Sequence, residues 1–343
     1  MSIIIALLIF SLIVLFHEFG HFLLAKKNGI TVVEFSLGMG PRLLSFDKGG
    51  TKYSWKLLPF GGSCMMLGED EGTMEPGAFA AASVWARISV IAAGPVFNFI
   101  LAFVLSMFII GSIGYDKPVI LQVSDGYPAA EAGLKEGDIV KKINHSNIHV
   151  AREVTNYVTF HQKQSVTMTV ERDGKDITVQ MDPVANESGR YIFGISCSSN
   201  YREKCGILGT LKYSAYEVKY WIQLTIESIK MLFTGQASIN DMSGPVGVVS
   251  YIGETYQESQ SSGFYVWLNM LNISIFLTAN LGVMNLLPIP ALDGGRLVFL
   301  IIELIRGKRI DPEKEGMVHF VGLMLLMLLM VMVMFNDVRK IFF

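Results

Sequence analysis

Apolar residues gather in four long stretches separated by segments of mixed polarity. Residues 3–16 carry no charge, meet the run His17-Glu18-Phe19-Gly20-His21, and resume with Phe22-Leu23-Leu24-Ala25. Residues 88–110 are uncharged throughout. Residues 264–305 form a longer segment interrupted by Pro288 and Pro290, and residues 317–335 are uncharged and rich in Met and Leu. A bilayer's hydrocarbon core takes about 20 residues of helix, so the pattern predicts four transmembrane helices, at about 3–26, 88–110, 264–305 and 317–335. The first is expected to be retained. It has no basic n-region, and an ionisable cluster stands where a leader would be cut.

Between the first two stretches the pattern turns to strand chemistry. Val32, Phe35 and Leu37 lead to a turn at 38–41, and Leu43-Leu44-Ser45-Phe46 and Tyr53-Ser54-Trp55-Lys56-Leu57 flank Asp47-Lys48-Gly49-Gly50. This predicts a β-hairpin over about 32–62. A hairpin between two spans must hide its backbone in protein or headgroups; a simple cytosolic loop is the alternative. Residues 113–198 read as a small α/β domain. Pro118-Val119-Ile120-Leu121-Gln122-Val123 is a strand, Pro128-Ala129-Ala130 opens a short helix stopped at Gly133, and Glu136-Gly137-Asp138 turns into a strand at 139–143. Alternating residues at 165–171 and 176–181 make a hairpin around Asp173-Gly174. The Pro-Ala-Ala…Gly-Leu…Gly-Asp order resembles a PDZ domain, a module that accepts peptides by strand addition. Phe193-Gly194-Ile195 is a weak candidate for its groove. Residues 208–233 repeat apolar positions at helical spacing but carry Lys212, Glu217, Lys219, Glu227 and Lys230, too many charges for a span. They predict an amphipathic helix on the outer membrane surface or on the PDZ-like domain.

Composition agrees with the spans. Of 343 residues 51% are hydrophobic and 17% charged, against about 25% charged in soluble domains. That content excludes disorder, and a formal charge of −2 excludes a generally basic nucleic-acid binder. Cys64, Cys197 and Cys205 are too few for a disulfide scaffold; a bond between Cys197 and Cys205 stays open. Lys26-Lys27, Arg87, and Arg306, Lys308 and Arg309 fall on one side of a four-span arrangement, which should be cytoplasmic. Both chain ends and residues 113–263 are then external, and Arg339-Lys340 is the exception.

Ionisable groups within a span are costly and are candidates for function. His17 and His21 lie four apart, on one helix face, and Glu18 projects about 100° round from His17. Two His ligands with a Glu that takes a proton from water is the arrangement of a zinc metalloprotease. A catalytic zinc takes three protein ligands, so a third is expected from another span. Asp293, in Asn285-Leu286-Leu287-Pro288-Ile289-Pro290-Ala291-Leu292-Asp293-Gly294-Gly295, offers a carboxylate beside an apolar run where prolines and glycines break the helix. A plain helix cap is the other reading of Asp293. His17 and Asn285 lie about 21 and 27 Å along their helices from the outer side, at comparable depth. His145 and His149, also four apart, read as surface residues, as does His161; His319 reads as facing the bundle. Asn98, a lone amide in the second span, divides evenly between helix packing and a contact near the metal.

Taken together, H-E-F-G-H, the hairpin, G-P-V-F-N in the second span, one PDZ domain, S-G-P-V-G at 243–247 and N-L-L-P-I-P-A-L-D-G-G resemble the site-2 protease family, in its bacterial RseP-type form. The resemblance covers nearly the whole chain. It implies a polytopic α-helical membrane protein with four transmembrane helices, a membrane-associated β-hairpin and an inserted extracytoplasmic PDZ domain. The expected divisions are 1–112, 113–198 (PDZ), 199–263 (amphipathic helix and linker) and 264–343. It implies Zn2+ bound by His17, His21 and Asp293, Glu18 as catalytic base, and Asn285 contacting the substrate backbone. The hairpin around Gly49-Gly50 would hold the substrate as an added strand, and the PDZ domain would filter by size or dock a peptide or protein tail. Implied substrates are transmembrane segments of single-pass proteins in the lipid bilayer, such as anti-sigma factors or signal-peptide remnants; no nucleic acid is involved. Relatives of this type commonly carry two tandem PDZ domains, and this chain has room for one. The competing readings are a non-enzymatic membrane adaptor or chaperone with a structural metal, and a transporter built on the helix broken at Pro288 and Pro290.

Overall fold

The first apolar run forms a single helix, α1 (Ser2–Lys27). It ends where Gly29 takes φ 74° and the Ile30 N–H returns to the Ala25 carbonyl at 2.9 Å, a glycine-dependent helix stop. A computed structural model describes residues 2–342 except 70–72, 187, 188, 190, 198–200, 239 and 241. The expected division at 198/199 therefore lies outside the described residues.

The predicted hairpin is present as β1 (Val32–Lys48) and β2 (Thr51–Met66), antiparallel about Gly49-Gly50. Each strand bends on itself. Residues 34–37 pair on one side with 62–65 and on the other with 52–55, while 42–48 pair with 51–56. The hairpin is thus a four-segment sheet in the order 62–66, 32–37, 51–58, 42–48. The bends fall at Gly38, Gly40 and Gly61, all at φ between 80° and 87°, which residues with a Cβ rarely adopt. Glu34, on an inner segment, accepts from Arg42 Nε at 2.8 Å and lies 3.5 Å from Lys56 Nζ. Leu43, Leu44, Phe46, Trp55 and Leu57 are exposed.

Helix α2 (Val84–Ile113) begins four residues earlier than the uncharged run and so includes Arg87. It approaches α1 closely: a Cβ on Gly20 would stand 2.5 Å from the Ala93 carbonyl oxygen.

Contacts divide the chain into two units, residues 106–234 and the remainder. In the 106–234 unit the two strands expected first appear as β4 (Ile120–Val123) and β5 (Ile139–Ile143), with the short α3 (Pro128–Glu131) between them, and the short strands β3 (Tyr115–Asp116) and β6 (Ser146–Asn147) are additional. A helix the sequence did not predict, α4 (Ala151–Phe160), follows, and then the expected hairpin β7 (Val166–Arg172) and β8 (Lys175–Met181). The unit continues through β9 (Val184–Ala185), β10 (Tyr191–Ile192), β11 (Ile195–Cys197), β12 (Arg202–Glu203) and α5 (Ile207–Phe233). Its main sheet runs β6-β5-β7-β8, flanked by the pairs β11-β4, β12-β3 and β10-β9. Val140, Ile143, Val166, Met168 and Val170 from the main sheet and Ile120 from β4 are fully or almost fully buried in one core. α5 is the predicted amphipathic helix, and its Glu217 accepts from Arg152 of α4 at 2.5 Å.

The other unit adds α6 (Pro245–Ser259), α7 (Phe264–Leu286), α8 (Asp293–Arg306) and α9 (Pro312–Phe342). The third apolar stretch breaks beside Pro288 and Pro290, as expected: α7 ends at Leu286, and α8 is a separate helix of 14 residues. The segment expected as an amphipathic helix and linker, 199–263, holds a further helix, α6, whose Ile252 packs with Ala6 of α1 and Met270 and Ile273 of α7. The N-terminus of α6 is held from α9, where Asp337 accepts from the N–H groups of Gly244 and Gly247 at 3.0 and 2.8 Å. Among the described residues four helices are long and apolar enough to cross a membrane: Ile3–Lys27, Val84–Ile113, Phe264–Leu286 and Pro312–Lys340. Arg87 and Glu303 of α8 form a two-pronged ion pair at 3.0 and 2.5 Å, both buried. Removing one partner of such a pair costs about 3–5 kcal/mol. Cys64, Cys197 and Cys205 are all free thiols.

Candidate metal centre

The break between α7 and α8 folds back onto the first turn of α8. Cβ atoms on Gly294 and Gly295 would lie 2.5 Å from the Leu286 carbonyl carbon and 2.9 Å from that of Ile289. Two glycines after Asp293 therefore allow a chain crossing that any side chain would block. Ala291 takes φ 77°, an uncommon conformation for a residue with a Cβ, and its N–H is accepted by His319 Nδ1 of α9 at 2.8 Å. The loop that presents Asp293 is thus braced from a helix 28 residues further along.

Asp293 is the first residue of α8. The N-cap position is Leu292, which makes no side-chain cap bond. The carboxylate points at α1 instead: Oδ2 lies 3.1 Å from His17 Nε2 and 3.5 Å from His21 Nε2. The two Nε2 atoms are 3.2 Å apart. Both imidazoles are buried, and Asp293 Oδ2 has no well-directed hydrogen bond among the described residues. A zinc ion in tetrahedral N/O coordination, with bonds of about 2.0–2.2 Å, separates its ligand atoms by roughly 3.3–3.5 Å. The three atoms already stand at about that spacing, so the residues fit the ion.

Neighbouring groups orient the rings. His21 Nδ1 donates to the Val90 carbonyl at 2.8 Å, which leaves Nε2 without a proton and free to ligate. Gly94 makes the room: a Cβ there would be 2.6 Å from His21 Cε1 and 2.7 Å from His17 Cε1. Asn98, fully buried, places Nδ2 3.1 Å from His17 Nδ1. Asn285, half-buried at the end of α7, places Nδ2 3.5 Å from His17 Nε2. Glu18 is half-buried and faces the sheet, where a Cβ on Gly62 would lie 3.4 Å from Glu18 Cγ. All five residues singled out in the sequence therefore lie at or beside one place.

Among the described residues, His17, His21 and Asp293 form the one group of three His, Cys, Asp or Glu side chains with ligand atoms close enough to share an ion. The model of Peptidase family M50 matches residues 5–329. This chain belongs to that family. It is a site-2 protease, a zinc-dependent metalloendopeptidase that works within a bacterial membrane. Among M50 relatives, a Clostridium acetobutylicum protein is 37% identical over 338 residues, covering 98% of this chain and 97% of its own. The zinc metalloprotease RasP of Bacillus licheniformis is 33% identical over 419 aligned positions, and the regulator of sigma-W protease RasP of Bacillus subtilis 32% over 420, each covering 98% of both chains. Those two alignments are longer than this chain, so several dozen RasP positions have no counterpart here. A segment covering 24% of the chain is similar to the PDZ domain of an SdrC-like protein of Listeria monocytogenes, at 21% identity over 90% of that domain and a TM-score of 0.22.

Three contributors had little or no signal in the sequence. The Val90 carbonyl is backbone and carries none. His319 showed only as a bundle-facing residue. Gly94 was legible as the first half of a Gly-Pro pair, but not as the space the imidazoles need.

His145, His149 and His161 belong to the 106–234 unit. His149 stacks on Tyr216 with ring centres 3.6 Å apart and lies 3.6 Å from Glu153, and His161 stacks on Tyr157.

Proposed function

We propose that His17, His21 and Asp293 hold the zinc of this M50 peptidase, that Glu18 is its general base, and that Asn285 binds the substrate backbone beside the scissile bond. The convergence of two imidazole nitrogens and one carboxylate oxygen within 3.1–3.5 Å carries this reading. Zinc, when bound, supplies Lewis acidity to water and to the scissile carbonyl. Glu18 takes the proton from the attacking water and passes it to the leaving nitrogen. It follows a ligand on the same helix, and it is open enough for water to reach.

The substrate is a transmembrane segment of a single-pass protein. Such a helix keeps its amides in internal hydrogen bonds and must unwind before attack. Residues 62–66 supply replacement partners: among the described residues no strand pairs with their outer edge, and Gly62 lies against Glu18. Exposed Leu43, Leu44, Phe46, Trp55 and Leu57 suit a sheet that rests in the membrane surface. Asn285, at the rim of the ligand cluster, is placed to hold the unwound strand.

Residues 113–198, inside the 106–234 unit, are read as one PDZ domain that filters substrates by size or docks a tail. Strand β11 has only β4 as partner among the described residues, so its other edge can accept a peptide. Orientation follows the basic residues, with the metal centre toward the cytoplasm and the PDZ domain outside. The Arg87–Glu303 pair supports a common side for the start of α2 and the end of α8. The sigma-W regulator among the relatives favours anti-sigma factors as substrates here, with signal-peptide remnants as a second class.

Glu18→Gln, purified in detergent and offered a reporter transmembrane helix, is expected to keep about one zinc per chain while cleavage falls by 10²–10⁴-fold or more. Cleavage at the wild-type rate by a clean preparation would remove Glu18 from the role of base.

A further inference from the structure

We propose that Asn98 is a positioning residue that fixes the ring tautomer of His17 by accepting a hydrogen bond from Nδ1. The inference deepens the reading above and rests on His17 being a zinc ligand.

His17 Nε2 faces Asp293 Oδ2 and His21 Nε2. To offer a lone pair there, the neutral imidazole must carry its proton on Nδ1. That N–H needs an acceptor, because both the ring and its surroundings are buried. The group nearest to Nδ1 is the Asn98 carboxamide, whose Nδ2 is 3.1 Å away. Two hydrogen-bearing nitrogens cannot satisfy one another. The same carboxamide holds a buried oxygen, Oδ1, with no hydrogen-bond partner among the described residues. A half-turn of the amide about Cβ–Cγ exchanges two atoms of nearly equal size and brings that oxygen to Nδ1.

The amide is well placed to act this way. Asn98 is 0% exposed, and its own carbonyl accepts from Thr278 Oγ1 of α7 at 3.2 Å. Gly94, one turn earlier, lets α2 come near enough to both rings. His21 receives the equivalent service from the Val90 carbonyl, so each imidazole has an acceptor behind it on α2. Outer partners of this kind typically contribute 10–100-fold to metal affinity. A residue present only for helix packing would contribute none of it.

The test compares full-length wild type, Asn98→Asp and Asn98→Leu for zinc retention against a graded chelator, with helical content read by circular dichroism. Asp keeps an acceptor and loses the NH2; Leu keeps the shape and loses both. The expected result is a 10–100-fold loss of zinc affinity in Asn98→Leu and near wild-type retention in Asn98→Asp. Wild-type retention by folded Asn98→Leu overturns the proposal, as does an equal loss in both folded variants. If Asn98→Leu does not fold, Asn98→Asp decides: retention supports the acceptor role, and loss from a folded protein overturns it. His17→Ala is carried alongside. If that variant keeps zinc, the ligand reading itself has failed, and the inference fails with it.

Discussion

At the scale of single residues, the metal centre depends as much on what is missing as on what is present. His17 and His21 can share one ion because α2 presents a glycine to them. A methyl group at Gly94 would sit 2.6–2.7 Å from carbons of both rings, far inside contact distance. Neither ring can retreat, since Nδ1 of His21 is tied to Val90 and Asp293 closes the other side. Gly94→Ala is therefore expected to lower zinc content below one half per chain and to reduce cleavage at least tenfold, with the helical signal retained. Metal analysis of the purified variant checks this, and a full complement of zinc would contradict the packing argument. Asp293 shows the same dependence on its neighbours: a cap and a ligand look alike in sequence, and it is the turn of its carboxylate toward His17 and His21 that supports the ligand reading.

At the scale of elements, what could be read in the sequence was whatever depends on neighbours along the chain. The four long apolar helices, the turn at Gly49-Gly50, the β7–β8 hairpin around Asp173-Gly174 and the amphipathic α5 all follow from local periodicity and turn chemistry. The doubling of the β1–β2 sheet did not, because pairing 34–37 with two partners at once is a long-range choice made at Gly38, Gly40 and Gly61. Helix α4 was missed although Ala151, Val154, Tyr157 and Val158 recur at helical spacing; it is only ten residues long, and its β-branched Val154, Thr155, Val158 and Thr159 favour a strand locally. The break after α7 was legible along the chain, since Pro288 and Pro290 cannot continue a helix, and α8 starts beyond them at Asp293.

Element β3 carries a consequence for pH. Asp116 is 2% exposed, and Arg152 Nε lies 3.6 Å from its Oδ2. Burial pushes its pKa up to about 6, against the opposing pull of Arg152, from an ordinary value of 3.8. The folded chain then binds this proton more tightly than the unfolded chain, so the contribution is full below about 4 and is lost as pH rises to about 6. Asp116→Asn should remove that slope and stabilise the 106–234 unit above pH 6 by on the order of 2 kcal/mol. Hydrogen exchange on residues 115–123 and 151–160 of the full chain, compared at pH 4.5 and 7.5, reads the effect. An unchanged slope in the variant would assign it to another group.

At the scale of the whole molecule, the candidate site is built from residues nearly 280 positions apart. His17 and His21 come from the first helix; Asp293 arrives through a broken helix, two glycines and a brace from His319. Sequence could name these residues because H-E-x-x-H and L-D-G carry their chemistry in short motifs. It could not show the acceptors behind the rings, which belong to α2 and to packing. The family match spans residues 5–329 and so takes in both the helix that carries His17 and His21 and the loop that presents Asp293, while the RasP relatives hold several dozen aligned positions that this chain lacks.

The most direct test of this assembly is zinc content and cleavage of a reporter transmembrane helix, measured side by side on wild type and Asp293→Ala. The wild type is expected to hold about one zinc per chain, with metal and cleavage both lost in the variant. Full zinc and undiminished cleavage in Asp293→Ala would contradict this assembly and leave the third ligand elsewhere.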